Sequence, residues 1–401
     1  MEIRKLTGKD RETCQKLMRY AFTTSMNSYE DLEYPNEKIP MDWYHGAFEK
    51  NLLIACAGSI PFDIRLRSSD FKMGGVMGVA TKPEYRNRGI IRKIIVKMFK
   101  DMYDSNIPIS VLYPFKVAFY EMLGYKLVDE IIYYQFKISD IITKKTSYSM
   151  QEVEQINDDI RKVYDKAILN FDYIAKRPSI NSWWTHFKGN YKFICYNGDE
   201  PVGYILISFP TINLLTGRLL TGRLASPERT IIINETFWLN QTAKQTIFNF
   251  LWSHRDQRKY VVGGFSESEI IIDLLKTPRV KVRQTTANSL LRIIDIKTVL
   301  KNIEYPIDNF TISLHIHDEY CPWNDGIFIL KSEGKSIEVE YMKSSMTADI
   351  ELDIGHLAQL IGGFRTVYDL LKFNFISIKK DKFELLEALF PKKNNFMCDH
   401  F

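Results

Sequence analysis

The stretch from Gly78 to Arg92, GVATKPEYRNRGIIR, holds the most suggestive residue types and spacing in this 401-residue chain. A β-rich run stops at Pro83, and Arg86-Asn87-Arg88-Gly89 leads directly into a helical pattern reaching to about Tyr103, with Ile90, Ile91, Ile94, Ile95, Met98 and Phe99 on its buried side. Gly89 permits a tight turn. The amides from Arg88 to Arg92 have no partner in the first helical turn, and they share one locality with the positive helix end and the guanidinium groups. That combination suits a pyrophosphate. The plainer alternative is a strand-to-helix turn carrying surface arginines. No G-x-x-x-x-G-K-[ST] is present, and GGVMG lacks the spacing of a dinucleotide fingerprint.

Other residues invite chemical readings. Tyr120, in FYEMLGY, follows a strand ending near Pro114 and sits on a short helix before Gly124, with Tyr125 close by. A phenol with a pKa near 10 stays protonated at neutral pH and can donate; a packed aromatic at a domain edge is the plain alternative. The chain ends on Phe401 after Phe396-Met397-Cys398-Asp399-His400. An aromatic terminus can anchor in a pocket and hold its carboxylate still, where most ends are polar and frayed. Glu30, Asp31, Glu33 and Glu37 crowd a loop beside Tyr34, Trp43 and Tyr44, suited to a cationic amine or simply to solvent. His315 and His317 share a strand face without a third ligand at a telling sequence distance, so they read as a satisfied surface pair and no metal is expected.

These residues need elements to position them. At 45% hydrophobic and 13% aromatic, the chain can build several cores and is not disordered. Its 54 Lys and Arg against 49 Asp and Glu give a net charge of +5 with no long basic run, which argues against nucleic acid as a partner. Five scattered cysteines without C-x-x-C spacing read as free thiols, and no signal peptide or membrane span is evident. A cytoplasmic protein is expected. NLLIACAGSI and PFDIRLRS read as two strands joined through Gly58 and Pro61, followed by GGVMGVAT. Residues 1–145 form an α/β domain. Residues 146–290 repeat that order with a hairpin around Asn197-Gly198-Asp199, a strand, the helix TAKQTIFNFLW and another strand, but without R-x-x-G before the helix. Between them LTGRL occurs twice, at 215–219 and 220–224. Residues 291–401 change character to an α+β unit of alternating strands and short helices.

The turn resembles the acetyl-CoA signature [QR]-x-x-G-x-[GA] of the GCN5-related N-acetyltransferases (GNAT), with Arg86, Gly89 and Ile91 at the motif positions and Ile91 the departure. P-x-x-R-x-R-G-I-I-R, FYEMLGY, ADIELDIGHLAQLIGG and the terminal FMCDHF together resemble the Eis (enhanced intracellular survival) acetyltransferases along essentially the whole chain. This resemblance implies tandem GNAT folds followed by a sterol-carrier-protein-like α+β domain, acetyl-CoA as cosubstrate, a cationic amine acceptor (aminoglycoside, polyamine or lysine) and a homo-oligomer, by analogy a hexamer. It implies a cofactor site from Val79, Ala80, Thr81 and the residues Arg86, Asn87, Arg88, Gly89, Ile90, Ile91 and Arg92, with an amide near Val79 polarising the thioester. Tyr120 would protonate the leaving thiolate, and the Phe401 carboxylate would take a proton from the amine. The competing readings are a lipid- or CoA-binding sensor without turnover and a tandem aminoacyltransferase.

Overall fold

In the computed structural model, which describes residues 1–22, 39–177, 187, 189–209, 229–343 and 347–399, the chain folds as two compact units. It passes from the first to the second between Val128 and Asp129 and returns between Asn288 and Ser289, and residues 394–398 belong to the second. The duplicated LTGRL lies outside the described residues.

The first unit contains a mixed sheet whose neighbours run Glu2–Lys5, Tyr44–Glu49, Leu52–Leu66, Ser69–Thr81, Ile109–Leu112, Leu290–Ile293 and Lys126–Leu127. The two strands expected to meet at Gly58 and Pro61 are one continuous strand, Leu52–Leu66. Pairing with Tyr44–Glu49 ends at Gly58, while pairing with Ser69–Thr81 runs on through Pro61, opposite Gly74. The parallel pair Met73–Val76 with Ile109–Leu112 is bridged by the helix Ile90–Asp104. That helix buries Ile90, Ile94, Ile95, Met98, Phe99 and Met102. Each such side chain contributes about 1.5–3 kcal/mol of transfer free energy, which holds the helix start at the end of the strand. Ile91, expected on the buried side, is half exposed.

The same unit carries a second sheet in the order Ser336–Met342, Gly326–Glu333, Thr311–His317, Ile350–Asp353 and Ser377–Ile378. The helix Ile354–Ile361 follows it, with the expected Leu357, Leu360 and Ile361 fully buried. A buried Arg67, at the tip of the Leu52–Leu66/Ser69–Thr81 hairpin, donates to the carbonyls of Leu360, Ile361 and Pro391 at 2.6, 2.8 and 3.0 Å. It therefore satisfies the Leu360 and Ile361 carbonyls left over at the end of that helix, and the Pro391 carbonyl besides.

In the second unit the sheet order is Val282–Ala287, Glu130–Lys137, Tyr260–Phe265, Thr230–Trp238, Glu200–Ser208, Tyr191–Asn197 and Ser149–Val153. The expected hairpin closes at Asn197 and Glu200 with Gly198 left-handed. Its parallel pair, Thr230–Ile233 with Tyr260–Gly263, is again bridged by a helix, Gln241–Ser253. The strand-helix-strand order of the first unit thus recurs. Among the described residues no helix is long and apolar enough to cross a membrane, and the five cysteines are free thiols.

Candidate active site

The site grows from a break in one sheet. The parallel ladder between Ser69–Thr81 and Ile109–Leu112 stops at Val76 and Leu112. On the other flank the register shifts, with Met77 opposite Gly58 and Ala80 opposite Cys56. Gly78 and Val79 therefore form a bulge, with Gly78 at φ 57°, a conformation side chains disfavour. Both Gly58 and Gly78 lie against the ring of Tyr44, where an added Cβ would come within 2.6 and 3.0 Å of it. Tyr44 is fully buried, its hydroxyl 3.4 Å from the Met77 sulfur. Past Val76 the strand holding Val79, Ala80 and Thr81 has no parallel neighbour among the described residues, which leaves backbone polar groups on that flank for a ligand. Ala80 is buried, whereas Val79 and Thr81 are half-buried.

The strand leads through a turn at Pro83–Tyr85 into the helix. Asn87 and Gly89 are both left-handed, at φ 61° and 67°, and Gly89 caps the helix. An added Cβ at Gly89 would find only the Arg92 guanidinium, at 3.4 Å, so glycine is required there by backbone conformation and not by crowding. Arg86 leans back on the Thr81 carbonyl (3.4 Å) and Arg88 on that of Glu84 (2.9 Å), the latter also lying over the Tyr85 ring. Two arginines thus brace the turn while Arg86, Asn87, Arg88 and Arg92 remain exposed. Behind them Ile90 anchors the helix in the core. The result is an open, positively charged helix N-terminus, a ready anion site.

Tyr120 lies on the short helix Val117–Glu121. It is 2% exposed and ringed by Phe115, Phe119 and Tyr125 at centroid distances of 5.6, 5.0 and 6.1 Å. Its hydroxyl makes no hydrogen bond among the described residues. Burial, and secondarily Tyr125, pushes its pKa well above the usual phenol value, so the group keeps its proton. Tyr125 is differently employed. Ser110 Oγ donates to the Gly74 carbonyl (3.1 Å), and so accepts from the Tyr125 hydroxyl at 2.7 Å. That commits the Tyr125 proton to the scaffold and leaves Tyr120 as the phenol with a free donor.

The Tyr120 segment is fixed by a residue the sequence reading passed over. Arg292, fully buried, donates to the Leu123 carbonyl at 2.9 Å and to both oxygens of buried Asp318 at 2.7 Å. Asp318 also accepts from the amides of Tyr320 and Cys321, both at 3.1 Å. An arginine inside the apolar run LLRII was the available signal. Near the chain's end, the Asp399 carbonyl accepts from Tyr113, just past the strand Ile109–Leu112. Phe401 and the acidic residues Glu30, Asp31, Glu33 and Glu37, with Tyr34, lie outside the described residues. Trp43 is half-buried. The structure also brings Glu351 to His315 and His317, a third ligand type that sequence distance had hidden.

The second unit has a cavity of about 260 Å³ where its own parallel pair ends, lined by Glu235, Trp238, Ser266, Glu269 and Phe396 among others. Its carboxylates are already paired, Glu235 with Arg177 (2.6 Å) and Tyr204 (2.6 Å), and Glu269 with Lys244 (2.6 Å). It has no arginine-braced turn of the Arg86–Gly89 kind before its helix, which Asn240 caps by accepting from the Ala243 amide.

Residues 2–128 match a family model described as an acetyltransferase (GNAT) domain, residues 175–293 a second GNAT acetyltransferase model, and residues 296–398 a sterol carrier protein domain. An uncharacterised N-acetyltransferase of Streptomyces coelicolor is 22% identical over 392 residues, 91% of each chain. A GCN5-related N-acetyltransferase structure from Anabaena variabilis shares the fold with a TM-score of 0.87 at 19% identity, covering all of both chains. Two GNAT domains and a sterol carrier domain in succession make this chain a tandem-GNAT acetyltransferase. Eis1 from Mycobacterium abscessus has the same fold from end to end, with a TM-score of 0.80 at 17% identity and full coverage of both chains. Over residues 2–128 and 175–293 the chain is a GNAT N-acetyltransferase, an enzyme that uses an acyl-CoA cosubstrate, and it shares its fold with Eis1.

Proposed function

We propose that the protein transfers the acetyl group of acetyl-CoA to a primary amine of a cationic acceptor, an aminoglycoside, a polyamine or a lysine, by direct attack within a ternary complex. The observation that carries this reading is the left-handed Gly89 turn at an exposed, arginine-flanked helix N-terminus, next to a strand whose parallel ladder has just ended. The amides from Arg88 to Arg92 hold the pyrophosphate, and the backbone from Val79 to Thr81 pairs with the extended pantetheine arm, much as a missing strand would. A bulge amide near Val79 polarises the thioester carbonyl as negative charge develops on its oxygen.

Collapse of the tetrahedral intermediate expels the CoA thiolate. Tyr120, protonated and without a hydrogen-bond partner among the described residues, donates to that sulfur. The amine must lose a proton for the attack, and we assign this to the carboxylate of Phe401, acting directly or through one water. The hold of Tyr113 on Asp399 supports a role for the tail in this part of the chain. By family resemblance the working form is a homo-oligomer, with a hexamer as the expectation to check by light scattering.

Initial rates measured with both acetyl-CoA and amine varied test the mechanism. Intersecting double-reciprocal lines support a ternary complex. Parallel lines, or an acetylated enzyme isolated without acceptor, overturn it.

A further inference from the structure

The carboxy-terminal sheet brings together three residues that the acetyl-transfer chemistry does not use. His315 and His317 are two apart on the strand Thr311–His317 and therefore share one face. The neighbouring parallel strand Ile350–Asp353 places Glu351 directly beside His315 in the ladder. Glu351 Oε1 lies 2.8 Å from His317 Nε2 and 3.8 Å from His315 Nδ1. One ligand atom from each residue falls within a set no wider than 4.8 Å. The two imidazole rings stand 4.4 Å apart, tilted by 57°, on the solvent side of the sheet.

We propose that His315, His317 and Glu351 form a binding site for a divalent first-row transition cation, Zn²⁺ being the best fit. Three features favour a cation over a simple ion pair. With metal–ligand bonds of about 2.0–2.2 Å, tetrahedral geometry separates ligand atoms by about 3.4 Å, a value that the 2.8 and 3.8 Å separations bracket. Small rotations of the side chains would complete the set. Both strands sit inside the sheet, so register fixes the three Cα positions before any ion arrives. Two imidazoles and one carboxylate are also the donor set that suits Zn²⁺ and its neighbours, and the exposed side leaves room for water in the remaining position. The other carboxylates on or next to these strands are taken. Asp353 caps the next helix through the His356 amide at 2.8 Å, and Asp349 binds Lys379 at 3.0 Å. The site would tie the two parallel strands together on the face away from the helix Ile354–Ile361.

Zinc affinity of the purified full chain, measured by competition with a chromophoric chelator, tests the assignment, alongside Co²⁺ absorption as a report on ligand type. Native protein should bind one Zn²⁺ per chain at this site and give Co²⁺ bands in the visible without a thiolate charge-transfer band. His317→Ala and Glu351→Gln should each weaken binding at least 100-fold, since loss of an outer partner alone costs about 10–100-fold. Both positions are exposed, and circular dichroism checks that the fold is kept. No Zn²⁺ binding by native protein, unchanged affinity in both variants, or a thiolate band with Co²⁺ that survives in the variants would each overturn the proposal.

Discussion

Tyr120→Phe separates the proton from the ring. The ring is held by Phe115, Phe119 and Tyr125, and phenylalanine preserves those contacts. Its hydroxyl has no hydrogen-bond partner among the described residues, so the substitution breaks no network and stability should change by no more than about 1 kcal/mol. Loss of a positioned general acid lowers the rate by about 10²–10⁴, equivalent to about 2.7–5.4 kcal/mol of transition-state stabilisation. The effect should fall on kcat, because the phenol acts on charge that appears only as the thiolate departs. Because burial raises the Tyr120 pKa, the native rate should show no alkaline fall from this group through pH 10. CoA release followed with a thiol reagent gives kcat and KM for both proteins, with CoA affinity and denaturant midpoint as controls. Tyr125→Phe is the counter-experiment. It removes the donor to Ser110, should cost about 1–3 kcal/mol of stability and should leave kcat nearly unchanged. A Tyr120→Phe enzyme within threefold of native kcat, or a loss confined to KM, refutes the assignment.

Four further outcomes are expected. Gly89→Val forces a β-branched residue to φ 67°, which costs at least about 1–2 kcal/mol locally and should weaken CoA binding more than tenfold by calorimetry; unchanged affinity in a folded protein counts against the pyrophosphate turn. Arg292→Met leaves Asp318 buried without its cation and should cost about 3–5 kcal/mol in denaturant melts, with kcat falling too because the Leu123 carbonyl loses its donor. His45 is buried and its pKa is lowered chiefly by desolvation, so its contribution is complete above the unfolded value of about 6.5 and is lost as pH falls through the folded value. Thermal melts from pH 7 to 5 should therefore decline less steeply in His45→Gln than in native protein. One glycine added after Phe401 displaces the carboxylate by up to about 3.3–3.6 Å and should reduce kcat while sparing CoA affinity; native turnover in that protein moves the base elsewhere.

Where local pattern carries the signal, the sequence was readable. Arg86 to Gly89 announced a glycine turn at a helix start, and the helix that follows begins at Ile90 as its apolar spacing required. Only the motif position favoured Tyr120 over Tyr125 in the sequence, because the physical difference between them is a hydrogen bond to Ser110, which is distant in local pattern. Arg67 resembles an ordinary surface arginine, and Arg292 is marked only by its apolar neighbours, until the fold buries them against carbonyls and Asp318 from segments 26 to 294 residues distant. Glu351 lay 34 residues from His317 and became visible only through parallel register. The strand Glu130–Lys137 alternates like a continuation of the first domain, yet its hydrogen bonds go to Tyr260–Phe265 and Val282–Ala287. Pairing partners of this kind are a property of topology, and local periodicity does not encode them.

Transfer of an acetyl group from CoA to an amine nitrogen by this chain can be followed directly. Incubating the purified protein with acetyl-CoA and a panel of aminoglycosides, polyamines and lysine peptides tests it most directly, with thiol release and the mass of the acceptor followed together. Enzyme-dependent CoA release should be matched one for one by a single acetyl group on a primary amine of at least one cationic acceptor, and should be strongly reduced in Tyr120→Phe and, at acetyl-CoA below saturation, in Gly89→Val. Thiol release without acetylated acceptor, or acetylation that proceeds equally in both variants, would contradict it.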